Sequence, residues 1–418
     1  MASTYLTRTF GQAGNRRTFT ISYWVKMGYV STTADGWIMG SGADGSNSDD
    51  LYIHTGRLNF SGYYGSTVYG VRTSAKYRDL SGWYHHVIRF DSTQSTASDR
   101  ARLYVNGELQ TALDSDTYPS QNLETTYINT ARQHTIGASV YGSSIGNFFN
   151  GSISHFHFCD GYSYGADSFG STDSTTGEWK INTSPSVTYG TNGFFILKDG
   201  NSVTDQSPNT NNFTVGGGTL TKTEDCPSNV FATGNPIDNG ADKNPVFLNG
   251  NNSYSVGSGV WRYAISTLGM TKGKFYMEQK IGSSGNHFAG VTDQYDNLLL
   301  TQTYAGSTSL SVGYYNNGNR YIGDNPTSYG NSYTSGDIIG VAIDIDNGKI
   351  YFSKNGTWQN SGVPTSGSTG TGAIDLPTSA NSYGTWFFVP SLNNSTLDVN
   401  YGNGYFGTTA VSSAGTNA

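Results

Sequence analysis

Glutamate is nearly absent from this chain. Glu108, Glu124, Glu178, Glu224 and Glu278 are the only five in 418 residues, and charged residues of all kinds reach just 13%, against a usual share of about 25%. Helices draw heavily on Glu, Lys, Ala and Leu, so the shortage argues against them. Cysteine is equally scarce. Cys159 and Cys226 permit one disulfide at most and form no CxxC pair, which excludes a zinc ribbon or a disulfide scaffold and makes two unrelated thiols the simplest expectation. Long apolar runs are missing too. No window approaches the roughly 18 apolar residues of a membrane-spanning helix, and Met1 to Phe10 lacks the apolar stretch of a secretory signal. Synthesis and release in a cytoplasm, without membrane insertion, are the expectation. Nor do basic residues prevail: a net charge of −7 offers no basic face to neutralise phosphates, so no nucleic-acid partner is expected.

What is present points to strands and turns. Gly supplies 55 residues, Tyr 30 and Phe 20, a mixture that favours strands linked by tight turns. Disorder is the competing explanation of a chain rich in Gly, Ser, Thr and Asn, but disordered segments are poor in aromatics, which here make up 14%. Short β-type runs recur at roughly ten-residue spacing, as a sandwich requires: Thr18 to Val25, Gly36 to Gly40, Leu51 to Ile53, Arg57 to Phe60, and Trp83 to Phe90. Asn106-Gly107 after Arg100 to Val105 marks a tight hairpin. A second β-dense region opens at Tyr254 and contains Ile338 to Ile345, a turn at Asp346-Asn347-Gly348, and Lys349 to Ser353. Between them, prolines 185, 208, 227, 236 and 245 punctuate a partly structured connector. The chain is expected to be all-β: one antiparallel β-sandwich over 1–165, a linker over 166–250, a second sandwich over 251–407 and a flexible tail over 408–418.

Particular residues carry family resemblances. Phe19 to Val25, Trp83-Tyr84-His85-His86-Val87, Leu103 to Glu108 and Gly151 to Phe156 together resemble the laminin-G-like, concanavalin A-like lectin/glucanase sandwich. Gly273 to Glu278, Gly336 to Val341, Ile350 to Gly356 and Phe388 to Leu392, closed by Leu397 to Gly402, resemble successive signatures of a SPRY domain. The combination, with Tyr189 to Phe194 and Asn229 to Pro236 in the linker, is similar to virion proteins of marine bacteriophages. The resemblance implies a structural or adsorption protein on a phage particle, located in the virion, contacting other virion proteins and assembling as a homo-oligomer, a trimer by analogy with phage fibres. One departure stands out. The strand and Asp-x-Ser-Gly-Asn-like turn that open laminin-G-like domains do not precede Tyr5; a similar run, Phe195 to Lys198 and then Asp205-Gln206-Ser207-Pro208-Asn209, follows the domain instead. Residues 194–215 are therefore expected to fold back and complete the first sandwich, as a circular permutation would.

The chemistry is sparse. Glycoside hydrolysis needs two facing carboxylates, and the Glu-x-Asp-x-x-Glu strand motif of the glucanase relatives has no counterpart here. Asp344 and Asp346 share a strand face but belong to a turn. His85 and His86 point to opposite faces of one strand and read as structural. No catalytic residue is assigned and no cofactor is required. Two metal sites are weighed: Asp44, Ser46, Ser48 and Asp50 present hard oxygens that suit Ca2+, and His155 and His157 share a strand face with Cys159. Sugar binding is the most plausible activity, because saccharides are held by aromatic faces with amide and charged hydrogen-bonding groups beside them. Tyr63 and Tyr64, and the group Tyr314, Tyr315, Asn317, Arg320 and Tyr321, are the candidates. The leading expectation is a non-enzymatic virion protein whose loops recognise a host-surface glycan or protein. Its alternatives are a purely structural scaffold or decoration protein and a glucanase-like depolymerase.

Overall fold

The computed structural model describes residues 3–29, 35–198, 202–237, 244–257, 259–293, 304–378 and 382–411. The fold is all-β; among these residues no α-helix occurs, only short 3-10 turns. Two compact units divide the chain, Met1–Val230 and Phe231–Ala418.

The first unit is a sandwich of two antiparallel sheets. Its larger sheet runs, in spatial order, through Leu113–Thr117, Thr67–Thr73, Arg57–Tyr64, Asn47–His54, Asp35–Asp44, Gln133–Ile136, Tyr5–Thr9 and Thr214–Gly217. The smaller runs through Phe194–Ile196, Gly151–Asp160, Thr18–Met27, Tyr84–Asp91, Ala101–Val105 and Glu108–Leu109. Alternation sends Phe19, Ile21, Tyr23 and Val25 into the space between the sheets, where they meet Phe60, Tyr69, Phe90, Phe156 and Phe158. Each such ring withdrawn from water contributes roughly 2–3 kcal/mol before entropy is counted. The hairpin at Asn106-Gly107 forms with positive φ at both residues, 47° and 84°, as a type I′ turn demands.

Residues after 165 join this unit. Phe194–Ile196 hydrogen-bonds to the edge of the smaller sheet beside Gly151–Asp160, and Thr214–Gly217 to the edge of the larger beside Tyr5–Thr9. Asp205 organises the turn between them: its carboxylate accepts hydrogen bonds from the backbone N–H groups of Phe195 at 2.8 Å, Ser207 at 2.8 Å and Asn211 at 2.7 Å. Asp160 does the same at the next junction, accepting from the N–H groups of Asn15 at 2.7 Å and Asn192 at 2.9 Å and from Asn129 Nδ2 at 2.7 Å. Both carboxylates satisfy N–H groups that no strand partner reaches, which a buried junction requires.

The same segment roofs the outer face of the smaller sheet. Phe169, Tyr189 and Phe195 are buried there with Val87 and Cys159, with Tyr164, Trp179 and Val187 packed around them. That roof is why Thr18–Met27 is buried along almost its whole length on both faces, where a two-layer sandwich would leave every second residue wet. Trp179 crosses Gly107 so closely that a Cβ there would lie 2.4 Å from its ring.

The second unit repeats the two-layer plan. One sheet contains Val246–Leu248, Ser253–Val256, Ser395–Asn400, Lys274–Ile281, Ile338–Asp344, Lys349–Lys354 and Thr357–Trp358, with Ile374–Asp375 added to Lys349–Lys354. The facing sheet contains Arg262–Tyr263, Ser391–Asn393, Asn286–Thr292, Ser311–Tyr315, Asn319–Ile322 and Asn325–Ser328, with Phe387–Phe388 added to Asn286–Thr292. Met277, Ile281, Val291, Val312, Tyr314, Val341, Ile343, Phe352, Leu397 and Val399 fill the core. The hairpin Ile338–Asp344 to Lys349–Lys354 closes at Asp346-Asn347-Gly348, with Asp344 Oδ1 accepting the Asn347 N–H at 3.1 Å.

Candidate functional site

In the second unit, alternation along Asn286–Thr292 sends Ala289 and Val291 inward and Phe288 outward. Tyr315 lies opposite Phe288 on the next strand, and the two rings stack at 4.6 Å. Gly290 and Gly313 face each other two residues along. Their missing side chains leave a groove, and Ala305 fills it: a Cβ on Gly313 would sit 2.0 Å from the Ala305 carbonyl oxygen, and one on Gly290 2.6 Å from Ala305 Cβ. Ser391 Oγ accepts the Ala305 N–H at 3.0 Å. This seat lays Tyr304 flat on Phe288, centroids 4.6 Å apart and planes within 4°. Tyr321 stands edge-on to Phe288 at 5.1 Å and to Tyr315 at 5.8 Å, and Trp261 leans on Phe288 at 5.4 Å and on Tyr304 at 5.0 Å.

Phe288 is thus the buried centre of a ring of half-exposed aromatics, Trp261, Tyr304, Tyr315 and Tyr321. The phenols are tied to polar groups at the rim. Tyr304 O–H donates to Asp324 Oδ1, and Tyr315 O–H donates to Asn286 Oδ1 at 2.7 Å; Asp324 and Asn286 are both exposed. Burial, followed by the Asp324 hydrogen bond, pushes the Tyr304 phenol well above its ordinary range, so it remains a protonated donor. Such a surface can stack the C–H face of a sugar and hydrogen-bond its hydroxyls.

The expected residues separate on this geometry. Tyr315 and Tyr321 come together on the outer face. Tyr314 does not: it is fully buried in the core, its hydroxyl donating to the Asn331 carbonyl, because its strand position faces the opposite sheet. Arg320 pairs across from Tyr314 and so takes the core-side face rather than the aromatic one. Asn317 is exposed at the adjoining turn, where its Oδ1 accepts the Asn319 N–H at 2.9 Å. Trp261, Phe288 and Tyr304 escaped sequence reasoning because they come from three separated segments. The facing Gly290 and Gly313 were the one trace of the groove between them.

In the first unit, Tyr63 is exposed, while Tyr64 turns inward and donates to Asp49 Oδ1 at 2.6 Å. Tyr64 is therefore partly buried against the core, its hydroxyl engaged by Asp49. Asp49 also accepts from Tyr69 O–H at 2.7 Å and the N–H groups of Tyr127 and Ile128 at 2.7 and 2.9 Å. Burial raises its carboxyl above the ordinary range although all four hydrogen bonds oppose the rise.

Neither metal grouping assembles. Asp44 closes a hairpin, accepting the Ser46 N–H at 2.8 Å and Asn47 Nδ2 at 3.0 Å. Ser48 instead donates to Asp50 Oδ2 at 2.6 Å. Asp44 pairs with Asn47, three residue steps from Asp50, so the two carboxylates lie about 10 Å apart along the strand. Ca2+ ligands gather at about 2.3–2.6 Å from one ion. Asp50 is buried, which pushes its carboxyl up to about 6. His155 and His157 do share the outer face with Cys159, but under the roof rather than in the open. His157 stacks on Phe195 at 3.8 Å with Nδ1 3.0 Å from the Tyr189 hydroxyl, and His155 Nδ1 lies 2.7 Å from Ser154 Oγ. Among the described residues no three His, Cys, Asp or Glu side chains are grouped to hold a metal, and both cysteines are free.

The remaining titratable groups serve the fold. His85 is stacked on Trp24 at 4.8 Å, accepts Trp179 Nε1–H at 3.0 Å and lies 2.9 Å from Ser22 Oγ. His86 lies 2.9 Å from the Tyr23 hydroxyl. Burial lowers both imidazoles to about 3. Lys26 and Asp225 form a buried ion pair at 2.7 Å, and Trp83 Nε1–H donates to the other Asp225 oxygen at 2.9 Å. Asp344 is held by Lys274 at 3.0 Å and by Asn347, and Asp346 accepts the Gly273 N–H at 3.0 Å.

Comparison with known proteins agrees with the two-part division. Residues 2–162 match the family described as the concanavalin A-like lectin/glucanases superfamily, and residues 245–374 match the SPRY domain family. Among curated proteins, the chain is 32% identical over 104 residues to the ATP-dependent RNA helicase Ddx1 of Drosophila melanogaster, an alignment covering 25% of this chain and 13% of that protein. It is likewise 32% identical over 96 residues to the ATP-dependent RNA helicase DDX1 of Xenopus laevis, covering 23% of this chain and 12% of that protein. The chain thus spans only a small part of these relatives. Similar solved structures include a human SPRY domain, 20% identical with a TM-score of 0.29, covering 38% of this chain and 96% of that one. A heptameric SAP-like pentraxin from Limulus polyphemus is 15% identical with a TM-score of 0.29, covering 39% of this chain and 72% of that one.

Proposed function

We propose that this chain, which joins a concanavalin A-like region to a SPRY-like region, is a non-enzymatic recognition protein of a bacteriophage particle, and that its second unit binds a host-surface glycan. The observation that carries this reading is the outer aromatic face built on Phe288, with Trp261, Tyr304, Tyr315 and Tyr321 half-exposed around it. Folded proteins seldom leave so many large rings together at a sheet surface unless something docks there. The phage assignment is supported by the resemblance of the module order and linker motifs to marine bacteriophage virion proteins. In a particle, many copies would convert weak single-site contacts into firm attachment. Neighbouring virion proteins and further copies of the same chain, a trimer by analogy, are the structural partners, and no cofactor is needed for this role.

Added protein should block adsorption of the parent phage to its host, and labelled antibody should decorate the particle. Periodate treatment of the host surface should abolish binding of the protein, whereas protease treatment should leave it. The reverse pattern would replace the glycan with a protein receptor. Decoration without any adsorption block would leave a scaffold, and clearing of a polysaccharide lawn would restore the depolymerase.

A further inference from the structure

Resting on the reading of this outer face as a glycan-binding surface, we propose that its ligand is an uncharged pyranose chain and that Asp324 excludes acidic sugars. The argument is one of charge and direction. The second unit has two arginines, Arg262 and Arg320, and both lie on strands of the sheet that bears the aromatic face. Neither is turned toward it. Arg262 is opposite Leu392, and Arg320 is opposite Tyr314. Leu392 and Tyr314 are both core residues, and opposed residues of an antiparallel pair share a face. The guanidinium of Arg262 folds back onto the Trp261 carbonyl at 3.0 Å. None of the strands of this sheet contains a lysine.

Among the described residues, the ionic group hydrogen-bonded to the ring of aromatics is an anion. Asp324 accepts the Tyr304 hydroxyl through Oδ1, which fixes the carboxylate at the rim and leaves Oδ2 as an acceptor. Across the ring, Asn286 Oδ1 accepts the Tyr315 hydroxyl, which fixes the amide so that its Nδ2 is presented as a donor. A sugar hydroxyl both donates and accepts, so it can satisfy the two rim groups, while the ring's C–H face covers the aromatics. A uronate, sialate or phosphate placed there would bring a second negative charge beside Asp324, with no arginine or lysine among the described strand residues of this sheet turned toward it, and like charges disfavour one another more as water is excluded.

The test uses the full chain with a panel of neutral oligosaccharides, gluco-, galacto- and manno-configured hexamers, against galacturonate hexamer and sialyllactose. Binding is read by tryptophan fluorescence and saturation-transfer NMR. Neutral hexamers should bind, and Trp261→Ala and Tyr321→Ser should each weaken them by about tenfold or more, close to the loss of one aromatic contact. Thermal unfolding checks that these variants fold. Asp324→Lys, at an exposed position, should gain binding to the acidic sugars. Acidic sugars bound at least as tightly as neutral ones by the unaltered chain, with Trp261 still required, would overturn the charge rule and leave the glycan-binding face standing. No binding by any of the panel, or neutral binding indifferent to Trp261 and Tyr321, would overturn the underlying reading of the face.

Discussion

The two units use one plan and finish it differently. In the first, the outer face of the smaller sheet is roofed by the chain that follows the sandwich, and Trp24, Lys26, His85 and His157 lie buried beneath it. In the second, the corresponding kind of surface, the outer face of one sheet, keeps its aromatic rings half-exposed. The first has spent its extra chain on covering that face, and the second leaves its rings partly exposed. A β-sandwich with a polar, aromatic sheet face is thus no guide to binding until the path of the connecting chain is known.

Acid should separate the two most strongly. Burial holds His85 and His86 near 3 and His134 near 4, and lowers His157 well below its ordinary range, whereas the second unit has one such group, His287, near 4. Because the unfolded chain takes up these protons first, at about 6.5, their contribution is complete above that pH and is lost as pH falls toward 4 and 3. At pH 5 each costs about 2 kcal/mol. Asp50 works oppositely, its raised carboxyl gaining stability as pH falls from 6 to 4, but it offsets less than one histidine. Peptide-resolved hydrogen exchange from pH 7 to pH 4 should show residues 1–230 losing protection first; simultaneous loss would break the contrast.

Asp225→Ala removes the ion-pair partner at 2.7 Å from buried Lys26 and the acceptor of Trp83. It should cost the first unit about 3–5 kcal/mol in urea unfolding. Asp375→Ala, which breaks the exposed pair with Lys349 in the second unit, should cost close to nothing. Trp179→Ala opens the roof over His85 and should cost about 2–3 kcal/mol, with faster exchange along Thr18–Met27 and no change in glycan binding. In the second unit, Gly313→Ala forces Ala305 out of its groove, an overpacking loss of about 1–3 kcal/mol. Its sharper signature is loss of glycan binding as Tyr304 is displaced. Tyr63→Ala, at an exposed edge of the first unit, should stay within about 0.5 kcal/mol; a larger effect on adsorption would show that the first unit also carries a site.

Local chemistry was readable in advance, and distant chemistry was not. The turns at Asn106-Gly107 and Asp346-Asn347-Gly348 form because few residues tolerate the backbone they require, and that demand is written in adjacent positions. The opposite faces of His85 and His86 follow from strand alternation alone. By contrast, Lys26 meets Asp225 across 199 positions, and the glycine, serine and proline texture of 166–230 disguised the buried stretches within it, such as Phe194–Ile196 and Phe213. Tyr314 and Tyr315 look alike as a pair of loop tyrosines, yet one residue of register sends the first into the core and the second to the surface. Trp261, Phe288 and Tyr304 carry no shared motif, since what unites them is a groove between two glycines.

The pairing of Tyr5–Thr9 with Thr214–Gly217 has a further meaning. Tyr5 faces Gly217, so the first and last strands of that sandwich are neighbours and its two ends sit at one edge. A domain built in this way can be spliced into a loop of a host protein, or traded between chains, with little disturbance to either. The first unit is shaped as a cassette, and any second module appended to it inherits an attachment point that leaves the sandwich intact.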